Sequence, residues 1–418
     1  MQPLRGAVRS YAWGSRTSLA QLQGRSVPSE HPEAEIWLGA HPADPAHLTG
    51  EGEERSLLDA IDECPSRELG TTISQKYAGR LPFLLKLLAA EEPLSLQAHP
   101  SAHQAKEGYA REEARRVPID SPIRNYRDDS HKPELIVALT EFHALAGFRS
   151  PKYTVEFIDA LGVDALSGYR SLLADQPDDA GLRTVFTSWI TLPGPALDAL
   201  LPLVADGCVR YLSTTAHQDG GRFVAEARTL LELGESYPGD AGVLAALLLN
   251  RVTLTPGQGL YLDAGNLHAY LSGTGVEIMA NSDNVLRGGL TPKHVDVPEL
   301  LRVLDFEPAD VSILEPDVDT AGVPVVYRTP ASEFALSRSM LADGSSVTLD
   351  SAGPQIVLCT GGRVALAADT DSAGGGGVEL VLERGTAAWV SASDPVITAI
   401  ARWGDAEIFA ATVGATSG

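Results

Sequence analysis

Alternate residues of the stretch PLSLQAHP, residues 93–100, are of types that bind metals or polar substrates. In a β-strand successive side chains point to opposite faces, so Ser95, Gln97 and His99 would share one face and apolar residues the other. Pro100 has no backbone N–H to donate, so the strand should end beside His99. An ordinary strand with its polar face in water would show the same alternation, so other parts of the chain must decide between the two interpretations.

Two more stretches are polar where a sheet interior should be apolar. In HKPELIVAL, residues 131–139, Glu134 precedes a strand that reads as buried, and Lys132 would lie on the same face if this segment is extended. The stretch LHAYLSGTGVEIMANSDNVLRGGLTPKH, residues 267–294, holds five candidates: His268, Tyr270, Glu277, Arg287 and Lys293. These side chains together could bind a metal and move protons.

Four of the candidates form a plausible ligand set for a divalent metal: Gln97, His99, Glu134 and His268. Two imidazoles and one carboxylate suit the borderline character of Zn²⁺, and a water molecule can complete the shell. A neutral glutamine with a single carboxylate leaves such a site with a net charge of about +1. That charge could stabilise a negative charge on a bound ligand.

The elements that position these residues are strands on both sides of a helical block. Short apolar runs punctuated by Gly and Pro predict strands before residue 100, and the polar stretch 101–116 predicts an exposed helix. Ser150 could cap a helix that Pro151 begins. The pattern predicts a mainly β protein with an α-helical insertion, built as two cupin-type jelly-roll barrels plus a helical domain.

The expected domains follow from this pattern. Residues 1–149 and 251–321 would form the catalytic barrel, residues 150–250 the helical insertion, and residues 322–418 a C-terminal barrel. No histidine follows His294, so we expect no metal in the C-terminal barrel, which would cover an edge or flank of the catalytic one. The run DTDSAGGGGVE, residues 369–379, should be a flexible hairpin tip. Lys86 lies in an apolar run and is expected to extend its ammonium group to the surface.

The composition of the chain limits the kinds of ligand and partner that it can bind. A net charge of −23 argues against nucleic acid and anionic membranes, which require a basic face. The chain has no run of signal-peptide or membrane-span character, which favours a cytoplasmic location. Its three cysteines are widely spaced and indicate neither a disulfide framework nor a thiolate metal site. A small anionic ligand would need a local cluster of cations, and lysine is scarce in this chain.

The motifs resemble those of a known family. PLSLQAHP, HKPEL, and HAYLSG followed by NVLRGGLTPK are similar to signature blocks of the type I phosphomannose isomerases, which are zinc enzymes. YAWG (11–14), EIWLGAHP (35–42) and ALAGFR (144–149) resemble further blocks of that family in the same order. The resemblance weakens after about residue 300.

The resemblance implies a zinc-dependent aldose–ketose isomerase that interconverts mannose 6-phosphate and fructose 6-phosphate through an enediol. It implies one zinc ion per chain on four ligands: Gln97, His99, Glu134 and His268. It implies that Arg287 is catalytic and that five residues line the substrate pocket: Ser95, Lys132, Tyr270, Glu277 and Lys293. Glu277 or the zinc-bound water could be the base, with Lys132 or Arg287 assisting at the oxygens. Lys132 and Lys293 are expected to lie together at the pocket mouth.

Two other functions stay open. An iron cupin dioxygenase also uses two histidines and one glutamate, but it usually places them closer together than Glu134, which comes 35 residues after His99. A non-catalytic sugar-binding cupin would not need Arg287 and Glu277 beside a metal. The expected partner is a small sugar phosphate, and the expected assembly is a monomer or a weak homo-oligomer.

Overall fold

The computed structural model describes residues 1–50, 54–215, 221–308, 310–315, 323–349, 353–368 and 379–414. The predicted hairpin tip at 369–379 lies, except for its last residue, outside the described residues. The described residues among the first 149 form nine strands: β1 (Gln2–Arg5), β2 (Ala7–Arg9), β3 (Glu35–Leu38), β4 (His47–Leu48), β5 (Arg55–Ser56), β6 (Phe83–Ala90), β7 (Leu96–Ala98), β8 (Glu134–Ala138) and β9 (Phe142–Phe148).

The same part of the chain holds five helices within its described residues: α1 (Ser18–Leu22), α2 (Leu57–Glu63), α3 (Pro65–Leu69), α4 (Thr71–Lys76) and α5 (Ala102–Ala114). Helix α5 lies where the polar stretch predicted it, whereas α2, α3 and α4 were not predicted. Their starting signals are local: the Ser56 side chain accepts a hydrogen bond from the backbone N–H of Asp59, 3.0 Å away, and Pro65 begins α3. These signals were present in the sequence but were outweighed by the neighbouring apolar runs.

The helical insertion follows: α6 (Pro151–Leu161), α7 (Ser167–Asp175), α8 (Asp179–Ile190), α9 (Gly194–Thr215), α10 (Val224–Ser236) and α11 (Gly242–Ala246). Pro151 begins α6 as expected, but the Ser150 side chain makes no capping hydrogen bond. Among the described residues, no single helix is both long and apolar enough to cross a membrane; α8 and α9 meet these two requirements only when taken together, and they are bent by 111° relative to each other.

The remaining described elements are β10 (Leu249–Leu254), β11 (Gly259–Leu262), β12 (His268–Ala280), β13 (Leu286–Gly289), α12 (Val297–Val303), β14 (Ile313–Leu314), β15 (Val325–Tyr327), β16 (Ala335–Leu341), β17 (Ser346–Leu349), β18 (Gln355–Gly361), β19 (Arg363–Ala368), β20 (Glu379–Glu383), β21 (Ala387–Val390), β22 (Ile397–Ala401) and β23 (Ala406–Thr412). Every strand pair among them is antiparallel, which short turns between successive strands favour.

The long strand β12 organises the sheet that carries the candidate residues. Its second half pairs with β6 on one side and β8 on the other, while its first half pairs with β7 and β9. Strand β13 pairs with β7. Each sheet has an open strand order over the described residues and none closes on itself, so the structure shows antiparallel sheets with helices and no closed barrel.

The strand β7 explains the alternation in PLSLQAHP. Leu96 and Ala98 are fully buried in an apolar core that continues into the helical insertion through Phe157 and Trp189. Removal of these apolar groups from water stabilises the contact between strand and helices. Because neighbouring side chains alternate, Gln97 must point to the opposite face of β7. The helical insertion therefore covers the apolar face and leaves the polar face for the site.

One sheet of the C-terminal region also takes in strands from the start of the chain. An eight-stranded sheet has the order β15-β16-β23-β18-β21-β1-β4-β5, and β1 pairs with β21 so that Gln2 lies opposite Trp389. The N-terminal strand, which we expected in the catalytic barrel, thus belongs to the sheet of the C-terminal region. The sequence pattern of a four-residue strand specifies its two faces but not its partner, so this pairing could not be predicted.

Candidate metal centre and substrate site

Three predicted ligands meet where three strands begin or end. His99 follows β7, Glu134 begins β8 and His268 begins β12. One ligand atom from each lies within 4.8 Å of the others, and all three side chains are buried. The Nε2 atoms of His99 and His268 lie 3.3 and 3.4 Å from the two carboxylate oxygens of Glu134. This spacing leaves room for one ion between them.

The imidazoles are oriented as metal ligands require. Nδ1 of His99 lies 2.8 Å from the backbone oxygen of Asn284, and Nδ1 of His268 lies 3.0 Å from that of Asn266. A carbonyl oxygen can only accept, so each Nδ1 carries the proton and each Nε2 keeps a lone pair. Both Nε2 atoms are buried and have no hydrogen-bond partner among the residues that the structure describes. Two such lone pairs facing a carboxylate fit a bound Zn²⁺.

Gln97 lies on the same face as this group. The strand register places it opposite His268 on β12 and opposite Arg287 on β13. Residues directly opposite one another in antiparallel strands have side chains on the same face. The sheet therefore lines up the amide, the imidazole and the guanidinium in three adjacent strands. That Gln97 is the fourth ligand stays a prediction.

Charge at the centre is balanced by Lys132. Its ammonium lies 2.9 Å from a carboxylate oxygen of Glu134, and its side chain is only 9% exposed. Burial alone would raise the pKa of Glu134, but the adjacent Lys132 ammonium outweighs it, and that pKa is held well below its usual value. Burial, with help from Lys132, lowers the pKa of His99 to about 4. Lys132 therefore lies inside the site, and the expectation that it lies at the pocket mouth is wrong.

A second group of buried charged residues lies on strands β6 and β12. Strands β6 and β12 place Lys86 opposite Glu277, and the Lys86 ammonium lies 2.9 Å from the Glu277 carboxylate and 3.5 Å from that of Glu35. The Tyr270 hydroxyl donates to Glu277 at 2.7 Å. Lys86 is 8% exposed, so the expectation that it reaches the surface is wrong. Its partners come from distant parts of the chain, which a local apolar pattern cannot reveal.

The pKa values in this second group are shifted by burial and by neighbouring charges. Burial raises the pKa of Glu277, Lys86 opposes that rise, and the carboxylates of Glu134 and Glu35 add to it. The pKa of Lys86 is also raised, because its two carboxylate neighbours outweigh the cost of burying the ammonium. A buried carboxyl with a raised pKa next to a charged ammonium is typical of a site that moves protons.

The mouth of the site carries cations without carboxylate partners. Arg287 is half-buried, whereas Arg127 and Lys293 are exposed. Within the described parts of the chain, no carboxylate lies at ion-pair distance from any of the three. Burial lowers the pKa of Arg287 and of Lys293, and the neighbouring arginines lower both further by repulsion. Such a cluster favours an anionic ligand. Ser95, half-exposed just before β7, makes no side-chain contact that would assign its role.

Asn284 and Arg127 were missed by sequence reasoning. The fully buried Asn284 side chain accepts hydrogen bonds from the backbone N–H groups of Arg127 and Asp128 and donates to the backbone oxygens of Asp128 and Ser130. Since its own backbone oxygen orients His99, one residue connects a metal ligand to the loop that carries Arg127. The only signal for this in the sequence was an asparagine at the start of the NVLRGGLTPK block.

A buried His–Glu–His centre on antiparallel strands, beside a Lys–Glu pair and with cations on the adjoining strand and loops that have no carboxylate partner among the described residues, is the arrangement of a metalloenzyme that acts on an anion. Comparison with known proteins supports this class of enzyme. The family model "Phosphomannose isomerase type I, catalytic domain" matches residues 1–151. Mannose-6-phosphate isomerase of Salmonella typhimurium is 36% identical over 405 residues, covering 96% of this chain and 97% of the relative. The chain belongs to the type I phosphomannose isomerase family of aldose–ketose isomerases, as its motifs predicted.

More distant relatives and solved structures agree with this membership. Mannose-6-phosphate isomerase of Homo sapiens is 31% identical over 434 residues, covering 98% of this chain and 97% of the relative. A crystal structure of zinc-bound mannose 6-phosphate isomerase superimposes with a TM-score of 0.86 at 34% identity over 99% of both chains. A phosphomannose isomerase variant from Salmonella typhimurium gives a TM-score of 0.87 at 34% identity, over 99% of this chain and 100% of that one.

Proposed function

We propose that this chain interconverts D-mannose 6-phosphate and D-fructose 6-phosphate with one zinc ion per chain. The observation that carries the proposal is the pair of buried, partnerless Nε2 atoms of His99 and His268 facing Glu134 beside the Lys86–Glu277 pair. The ligands would be Gln97, His99, Glu134 and His268. When bound, zinc supplies positive charge that polarises the substrate oxygens.

The formal charges of the buried groups support a dication. Glu134, Glu277 and Glu35 carry three negative charges against the two positive charges of Lys132 and Lys86, so these groups alone leave one buried negative charge. A lone buried charge is costly unless it is paired. Two neutral imidazoles and this excess of negative charge therefore favour a dication.

Proton transfer is assigned to Glu277. The open-chain reaction moves a proton from C2 to C1 of the sugar, and a base with a pKa close to working pH does this best. Burial and the nearby carboxylates raise the pKa of Glu277. The Tyr270 hydroxyl and the Lys86 ammonium each bond one of its carboxylate oxygens, which fixes its orientation. Glu277 would take the proton from C2 and return it to C1, while Lys86 keeps the ionised carboxylate stable.

The oxygens of the intermediate are assigned to two cations. Arg287 lies opposite Gln97 on the polar face and has no carboxylate partner among the described residues, so its guanidinium is free to bind the negative oxygen that develops on the substrate. Lys132 keeps Glu134 ionised and can donate a hydrogen bond to a substrate oxygen. Both are therefore catalytic residues in this proposal.

The phosphate is assigned to the mouth of the site. A chain of net charge −23 repels a sugar phosphate, so binding depends on local cations. Lys293 supplies one such cation, the exposed Arg127 supplies another, and the hydroxyl of Ser95 can donate a hydrogen bond. Tyr270 would line the pocket next to the proposed base, Glu277.

We also infer the fold type, the cellular compartment and the assembly state of the enzyme. The three antiparallel sheets of the described residues would together form open variants of cupin jelly rolls. The unpaired cysteines Cys64, Cys208 and Cys359 are consistent with a reducing cytoplasm. We further infer that the chain acts as a monomer or a weak homo-oligomer, and that its strong negative charge keeps it from nucleic acid and anionic membranes.

A coupled assay tests the function against its two alternatives. With zinc bound, mannose 6-phosphate should yield fructose 6-phosphate at a rate proportional to protein concentration, with no consumption of oxygen. Oxygen uptake dependent on iron would favour a dioxygenase instead. Tight binding of the sugar phosphate without any turnover would favour a binding protein.

A further inference from the structure

The turn between α10 and α11, residues 237–242, bonds two segments of the substrate site to the helical insertion. The Tyr237 hydroxyl donates to the backbone oxygen of Pro93, 2.5 Å away and two residues before Ser95. The Asp240 carboxylate accepts three backbone N–H hydrogen bonds, from Gly242 at 2.7 Å, Leu290 at 2.9 Å and Thr291 at 3.0 Å. Two of those three donors belong to the loop that follows β13.

The loop that Asp240 holds has a backbone that needs support. Leu290 has a φ of +54° and Gly289 a φ of +120°. The left-handed region is unfavourable for a branched, non-glycine residue and persists only where the surroundings impose it. Contact with the insertion is close here, because a Cβ atom added to Gly242 would lie 2.6 Å from the Leu290 nitrogen. The loop conformation therefore depends on the 237–242 turn.

This loop connects the two cations of the site that lie C-terminal to β12. Arg287 precedes it inside β13 and is also fixed by pairing with β7. Lys293 follows it outside any strand, and its backbone N–H donates to the Thr291 side-chain oxygen at 3.2 Å. Support from Asp240 thus passes through Thr291 to Lys293, whereas Arg287 has a second support of its own.

We propose that Asp240 is a positioning residue for phosphate recognition. By accepting the N–H groups of Leu290 and Thr291, it holds the loop so that Lys293 faces the phosphate of the substrate. Asp240 itself does not touch the substrate. The inference rests on the proposed function and assigns the helical insertion a part in it: one of its turns shapes the anion site.

Charge and position have opposite effects at this residue, which makes the proposal testable. Asp240→Asn removes a negative charge from a residue bonded to the loop that carries Lys293, and by Coulomb repulsion alone the loss of that charge would strengthen phosphate binding. The new amide, however, presents an N–H₂ donor where one of the backbone N–H donors was bound. Loss of that hydrogen bond frees the loop, so positioning predicts weaker phosphate binding.

The experiment measures steady-state kinetics of zinc-loaded protein on mannose 6-phosphate, with inorganic phosphate as competing inhibitor. For Asp240→Asn we expect KM and the inhibition constant of phosphate to rise about tenfold, the equivalent of one hydrogen bond to a charged group, while kcat changes by less than about threefold. Zinc content should be unchanged. A KM and an inhibition constant equal to or below those of the wild type would overturn the proposal.

A second variant disturbs the same contact without changing charge. Gly242→Ala places a methyl group against the Leu290 nitrogen and should raise both constants in the same way. Its matched control is Gly234→Ala in α10, where an added Cβ meets nothing within 4 Å, and which should leave both constants unchanged. In the wild type the Asp178 side chain caps α8 by accepting a hydrogen bond from the backbone N–H of Gly181. Asp178→Ala removes this cap and so tests whether destabilising the helical insertion in general raises the two constants. Equal rises in Asp178→Ala and Asp240→Asn would contradict positioning.

The failure of this inference is distinguishable from the failure of the proposed function. If the wild-type protein does not convert mannose 6-phosphate, the function is wrong whatever Asp240 does. In that case calorimetric titration with inorganic phosphate still compares wild-type and Asp240→Asn protein, and equal affinities would overturn the positioning role. If the wild type is active and both variants match it, only the positioning role fails.

Discussion

The metal centre with its neighbouring lysines and the mouth of the site differ in how their charges are compensated. In the interior, Lys132 pairs with Glu134, and Lys86 pairs with Glu277 and Glu35, all of them nearly excluded from solvent. At the mouth, Arg127 and Lys293 are exposed, and neither has a carboxylate at ion-pair distance within the described part of the chain. The compensated charges of the interior suit the proposed metal binding and proton transfer, and the uncompensated charges of the mouth suit the proposed binding of an anion.

This difference predicts which measured properties a substitution in each region changes. A change in the interior leaves a buried charge or a ligand position unpaired, so it should act on metal content and turnover. A change at the mouth removes an attraction that is screened by water and salt, so it should act on substrate affinity. Arg287 lies between the two regions, half-buried and adjacent in the sheet to Gln97, and it tests where the boundary lies.

The largest effect is expected from His99→Ala. Loss of one imidazole from the cluster should release zinc and reduce kcat/KM by about 1,000-fold or more, since this exceeds the 10- to 100-fold cost of removing residues that only support a ligand. Metal analysis and the coupled assay check this. His103→Ala is the matched control, because His103 is an exposed histidine four residues further along the chain. Full zinc content in His99→Ala would contradict the ligand assignment.

The next effect is that of Arg287→Lys. A lysine keeps the charge but cannot reproduce the planar fork of the guanidinium, so we expect kcat to fall about 100-fold with little change in KM. Steady-state kinetics on mannose 6-phosphate measure both constants. If kcat is unchanged and KM rises instead, Arg287 belongs to the mouth and serves in binding only.

A smaller effect is expected from Lys293→Gln. Removal of this exposed cation should raise KM for sugar phosphates about tenfold at low salt and less at high salt, with kcat almost unchanged. Lys106→Gln, an exposed lysine on α5, is the control for a change of net charge alone. An equal loss of affinity for an uncharged sugar analogue would exclude a phosphate contact.

The smallest effect concerns pH. Burial and the charges of Glu134 and Glu35 raise the pKa of Glu277, so kcat/KM should be lost on acidification at a higher pH than an ordinary glutamate would give. Glu35→Gln removes one of the repulsive charges and should move this acid limb to lower pH. Glu33→Gln, whose carboxylate pairs with Arg25, is the control and should leave the limb in place. A shift to higher pH in Glu35→Gln would argue against Glu277 as the base.

Sequence reasoning succeeded where neighbours along the chain carry the information. The alternation around Gln97 and the start of α6 at Pro151 are local patterns, and the structure shows both. The meeting of His99 with Glu134 and His268 joins distant residues, and it was predictable because each stands in a recognisable block. A long sequence block that matches a known family carries information about tertiary contacts, whereas composition and periodicity do not.

The errors have one physical origin. Lys86 was expected at the surface because its own strand is apolar, yet Glu277, 191 residues away, is opposite to it in the sheet. The strand β1 was expected in the catalytic part, yet it pairs with β21 near the other end of the chain. Strand partners are chosen by packing over the whole fold, so a buried charge or a short strand cannot be placed from its immediate sequence.

The central claim is that one buried zinc ion at the His99–Glu134–His268 cluster makes the site active, and a metal titration tests it most directly. Protein freed of metal by chelation should be inactive on mannose 6-phosphate and should regain activity linearly as zinc is added, with a break at one ion per chain. Recovery should be absent in Glu134→Gln protein treated in the same way. Full activity of the metal-free wild type, or a break at two ions per chain, would contradict the account.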